Sequence, residues 1–152
     1  MKRLVILVVA ILMAISANAQ WRTNFYKADE LKGEEAYWSN LYIAPSGRAF
    51  CCWSNDDQIK IITEKGIFDY SDNYVKVLIG FYEGETLVEK VTSFFFVPDG
   101  DSDTAYTSAY RDSGLGVKIK EWIKNTGSVR FIASKYSGPE FDLTVPKNAG
   151  LK

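Results

Sequence analysis

The segment Asp99-Gly100-Asp101-Ser102-Asp103 sets three carboxylates at alternate positions, the spacing that supplies the first oxygen ligands of a calcium loop. An EF-hand next needs glycine at its sixth position and glutamate at its twelfth, where this chain has Thr104 and Tyr110. Only the oxygen-rich spacing is shared, so Asp99, Asp101 and Asp103 are expected to form an acidic hairpin loop with at most weak affinity for calcium. No motif in the chain implies any other cofactor.

A second set of candidates is aromatic. If Leu41 and Ile43 face a core, Trp38 and Tyr42 point the other way, and Trp53 lies beside them across a hairpin. Flat, partly exposed rings of this kind stack on sugar rings or anchor a protein partner. The competing reading is a second buried face. The three consecutive rings Phe94, Phe95 and Phe96 suggest a strand covered on both sides, and they read as core.

The two cysteines, Cys51 and Cys52, are adjacent. In an extended strand their thiols point to opposite faces, and a bond between neighbours falls outside ordinary disulfide geometry. One is expected to fill the core as a small apolar side chain while the other lies near the surface.

Histidine is absent from the chain, which removes the Ser-His-Asp and Cys-His arrangements and the usual imidazole-based metal sites. No phosphate-binding glycine loop and no G-x-S-x-G elbow occurs. Glycoside hydrolysis needs only two carboxyl groups at a set separation, but the 19 acids lie mostly in turns, where solubility explains them. An enzyme is therefore not expected.

The elements that must position these residues alternate polar and apolar side chains with a period near two. Strands are expected over 21–27, 37–44 and 49–53, the last two joined by Pro45-Ser46-Gly47-Arg48 as a hairpin. A second hairpin is expected from 58–63 and 67–70 around Glu64-Lys65-Gly66, and a third from 74–82 and 86–97. A short strand follows at 104–110. Leu115, Ile119, Trp122 and Ile123 recur at i, i+4, i+7 and i+8, the stripe of an amphipathic helix, with Ser113 as a start cap and Gly127 as a left-handed stop. Strands at 129–134 and 140–145 form the last hairpin, and residues 147–152 read as a loose tail.

The expected fold is mainly β: an antiparallel β-sandwich or a strongly curved sheet of about 8–9 short strands, with one helix at about 115–125 packed on it. Residues 20–152 read as a single domain, long enough to bury a core without covalent staples.

Ahead of that domain, Lys2 and Arg3 precede an apolar run from Leu4 to Ile15, and Ala17-Asn18-Ala19 has the small-x-small pattern of a signal-peptidase site. Residues 1–19 are thus read as a cleavable signal peptide, too short in its apolar stretch to span a bilayer. Its removal takes two cations and no acids, moving the formal charge from −1 to −3. A mildly acidic chain has no electrostatic affinity for nucleic acid or anionic lipid. The expected destination is periplasmic or extracellular, with no membrane insertion after cleavage. The expected function is an exported, non-enzymatic binding or accessory module that holds a protein partner or glycan through exposed aromatics or a sheet edge. A structural or assembly subunit of the cell envelope and a carboxylate-based glycoside hydrolase are the alternatives.

Overall fold

A computed structural model describes residues 20–108 and 110–152; the signal peptide expected over 1–19 lies outside these residues. Nine strands run in chain order: β1 (Gln20–Tyr26), β2 (Tyr37–Ile43), β3 (Ala49–Trp53), β4 (Ile59–Ile62), β5 (Tyr74–Glu83), β6 (Thr86–Phe96), β7 (Thr104–Tyr106), β8 (Ser128–Ala133) and β9 (Phe141–Val145). The helix α1 (Leu115–Asn125) separates β7 from β8. All nine strands belong to one antiparallel sheet of order β1-β2-β3-β4-β7-β6-β5-β8-β9, which does not close into a barrel. The curved-sheet form of the expected fold is the one adopted.

The curl is visible in the core. Four strands separate β3 from β8 in the sheet, yet Phe50 of β3 and Phe131 of β8 stack with ring centres 5.9 Å apart. Rings from such distant strands meet only if the sheet bends until its inner faces oppose one another, as two layers do in a sandwich. Alternation then sorts the residues. Phe50, Cys52, Ile59, Ile61, Ala105, Phe95 and Val75, Val77, Ile79 and Phe81 of β5 are buried on the inner face, completed by Val129, Phe131, Phe141 and Leu143. Helix α1 inserts Leu115, Ile119 and Ile123 into the same core, and its half-buried Trp122 donates its indole N–H to the Tyr82 carbonyl at 3.2 Å.

Near the opening, the Arg48 guanidinium reaches from the head of β3 to the edge strand β9, donating to the Asp142 carbonyl at 2.9 Å while lying 5.6 Å from the Phe141 ring centre. Its Nε and Nη2 also hold both carboxylate oxygens of Glu64, at 2.7 and 3.1 Å. This bidentate pair keeps the Glu64 carboxyl below its ordinary range.

Several local expectations are corrected. Residues 67–70 do not pair back on β4. Phe68 is fully buried, its N–H bonds the Ser102 carbonyl, and its only ladder contact is an isolated bridge to Lys135. The segment crosses from one half of the sheet to the other because burying that phenylalanine outweighs a local hairpin. Ser113 does not cap α1: the cap position is Gly114, at φ +83°, with no side-chain bond. Gly127 is not a left-handed stop either. A Cβ there would collide with the Tyr82 carbonyl, so glycine serves close approach of backbone to backbone. The tail is also not loose: Leu151 is buried in the core, and the fully buried Asn40 side chain accepts from the Lys152 N–H at 3.2 Å and donates to its carbonyl at 3.0 Å.

Candidate functional site

The register of β2 and β3 decides where the aromatic candidates go. Tyr42 opposes Phe50 and Asn40 opposes Cys52, so the even-numbered residues of β2 face inward. Tyr42 is therefore 6% exposed and packs on Trp21, with ring centres 5.3 Å apart; it is a core residue, not a surface ring. Trp38 shares that face but sits beyond the end of the filled core, half-exposed and paired with Phe25 at 4.8 Å. Trp53 opposes Ser39 and lies on the outer face. The three rings expected together are thus divided between two faces, because β2 turns Asn40 and Tyr42 inward in place of Leu41 and Ile43.

On the outer face Trp53 has different neighbours. Tyr37, Trp53 and Tyr106 line an open groove of about 590 Å³. Its remaining walls carry the carboxylates of Glu34, Glu35 and Asp56 and the amides of Asn55 and Gln58. Each wall is held by local structure. Tyr37 is buttressed by Tyr26 of β1, stacked at 4.8 Å with planes 14° apart. The β1–β2 connection turns on Asp29, whose carboxylate accepts the Leu31 and Lys32 N–H groups and whose backbone bridges Glu34, with Gly33 at φ +68° completing the turn. The β3–β4 connection is tied by a 2.8 Å bond from the Gln58 N–H to Asp56 Oδ1, and by Lys120 of α1, whose ammonium donates to the Trp53 and Asp56 carbonyls. Tyr106 is flanked by the Lys60 ammonium, 5.5 Å from its ring centre.

A second cavity of about 520 Å³ shares Asn55, Asp56 and Gln58 with the first and continues toward the start of α1, past Thr107, Asp112 and Ser113. The two spaces adjoin along Asn55, Asp56 and Gln58, and the rings lie in the first of them. Half-buried rings beside carboxylates and amides present a flat apolar platform ringed by hydrogen-bond acceptors and donors, chemistry suited to a polyhydroxylated ring. The acids disfavour an anionic ligand.

The acidic loop does not gather its three carboxylates. Asp99 accepts a 2.7 Å bond from Asn73 Nδ2, while Asp101 and Asp103 interact with each other, and that contact raises the Asp103 pKa. Among the described residues no group of three or more His, Cys, Asp or Glu side chains is arranged to hold a metal ion. Cys51 and Cys52 are unbonded to each other and face opposite sides of β3. Both are buried, so the thiol expected near the surface is covered as well, and burial pushes the Cys52 thiol up to about 12.

Tyr37 and Tyr106 were not legible as site residues, since nothing in their local sequence places them beside Trp53. Of the run expected as core, only Phe95 is buried; Phe94 and Phe96 are 43% and 39% exposed on the outer face, with Phe96 opposite Tyr106. Among the described residues no second layer covers that face. No helix among the described residues is long and apolar enough to cross a membrane. Comparison with family models, with curated proteins and with solved structures finds no match to this chain.

Proposed function

We propose that the protein is an exported, non-enzymatic binding module that holds a glycan in the groove between the β1–β2 and β3–β4 connections. The observation that carries this reading is the convergence of Tyr37, Trp53 and Tyr106 with Glu34, Glu35 and Asp56 in one open groove. Rings in this half-buried state keep a face free for stacking without needing a ligand for folding. Carboxylates and amides around them accept and donate to sugar hydroxyls, and their negative charge selects neutral over acidic glycans. Export is supported by the leader-like pattern over residues 1–19.

The test is a glycan array probed with the exported protein, followed by calorimetry on the best neutral oligosaccharide. Replacing Trp53 by alanine should weaken binding by about 2 kcal/mol, close to thirtyfold in Kd, with little change in Tm. Absence of any glycan binding, or affinity indifferent to Trp53→Ala, would sink the reading. Release of shortened sugars from the bound oligosaccharide would replace it with the hydrolase alternative.

A further inference from the structure

An open sheet has two edges, and in this protein they are treated differently. Strand β9 is guarded. Arg48 occupies its Asp142 carbonyl, Pro146 follows it directly and offers no N–H, and Asp142 carries an ion pair to Arg130 on the flank. Among the described residues, strand β1 carries none of these devices. Its seven residues pair with β2 in unbroken register, without a bulge, it contains no proline, and Arg22 is its only charged side chain. Every residue but Trp21 is exposed, Phe25 at 50% and Tyr26 at 45%. A long, flat, aromatic edge of this kind is a template for another strand.

The sequence of β1 also says which strand fits. We propose that β1 pairs antiparallel with β1 of a second copy about a two-fold axis through Thr23, joining two sheets into one. That centre is the only register that overlaps all seven residues and keeps both inner faces on the same side. It sets Trp21 against Phe25 of the second copy, giving the half-exposed Phe25 ring a second aromatic neighbour besides Trp38. Arg22 then opposes Asn24. Centring on Arg22 instead would set two guanidinium groups face to face, and centring on Asn24 would shorten the ladder. An isologous pairing uses up both unprotected edges and closes at two copies, whereas a β1-to-β9 contact would propagate and is blocked by Arg48 and Pro146. This inference stands apart from the glycan reading, since no residue of β1 lines the groove.

The experiment is sedimentation velocity on the exported, processed protein over a dilution series. The expected result is a reversible monomer–dimer equilibrium. Asn24→Arg places an arginine opposite Arg22 twice across the axis and should leave a folded monomer at concentrations where the original chain is dimeric. Adding Arg22→Glu to that variant turns both repulsive pairs into attractive ones and should restore the dimer, which a merely misfolded variant could not do. A protein that stays monomeric throughout the series, a dimer unmoved by Asn24→Arg, or an edge found occupied by a strand from a different protein would each overturn the proposal.

Discussion

Cys51 and Cys52 show how much one peptide unit changes in a strand. One thiol points outward beside Lys60 and the other inward against Asn40, and burial raises the pKa of both. A thiol held protonated in this way is a poor nucleophile. The folded protein should therefore react slowly with a charged thiol reagent, whereas the unfolded, unreduced chain should titrate two thiols; finding none would reveal a disulfide. At Arg48 one side chain serves Glu64, the Asp142 carbonyl and the Phe141 ring together. Arg48→Met should destabilise by about 2 kcal/mol, because a partly buried carboxylate loses its bidentate partner. The pH dependence has a definite sign. Hydrogen bonds from Arg48 and Arg130 lower the pKa values of Glu64 and Asp142 in the folded state, so their contribution is present at neutral pH and is lost as the pH falls through those lowered values, on the acid side of the ordinary carboxylate range. Melting curves against pH should show the gap between the original chain and Arg48→Met closing in that acid range.

At the scale of elements, α1 is placed by two glycines rather than by caps. A Cβ at Gly116 would overlap the Asp57 carbonyl and one at Gly127 the Tyr82 carbonyl. The backbone on each side is a groove wall or a strand end and cannot retreat cheaply. Gly116→Ala should therefore cost about 3 kcal/mol, more than helix propensity would return, as measured by denaturant unfolding. Since Asp57 adjoins Asp56 in the groove, the same substitution should also weaken glycan binding. The C-terminal segment is an element of the core in all but hydrogen-bond pattern: Leu151 is buried, and the Asn148 N–H bonds the Ile123 carbonyl at the end of α1. Leu151→Ala should lower stability by about 2 to 4 kcal/mol, a loss no surface tail would show.

For the whole molecule, the sheet is joined unevenly. Strands β5 and β6 share ten residue pairs, whereas β6 and β7 meet only at Phe96 and Tyr106. The protein is thus nearly two half-sheets, β1-β2-β3-β4-β7 and β6-β5-β8-β9, held by one bridge, by the crossing segment around Phe68 and by the shared core. Hydrogen exchange should find the β5–β6–β8 amides the slowest and those of β1 and β7 faster, because the former lie in the longest ladders over the buried rings. Dimer formation through β1 should slow exchange of the β1 amides in a concentration-dependent way.

The sequence by itself determined the local pattern. Period-two alternation located β2, β3, β5, β6, β8 and β9 almost to the residue, the Leu115–Ile119–Ile123 stripe located α1, and adjacency alone forced the two thiols apart. These are properties of a few neighbouring residues and their fixed geometry. What only the tertiary structure decided was which side of each alternation is inside. Leu41 and Tyr42 are equally plausible core residues until β3 supplies Phe50 and Cys52 as partners, so Tyr42 became core and Trp53 surface. The groove arises from strands distant in the chain, and Tyr106 reaches Trp53 only because β7 docks beside β4. Long-range pairing of this kind is a choice among energetically similar partners, settled when the curled sheet buries the largest apolar surface, and no local spacing records it.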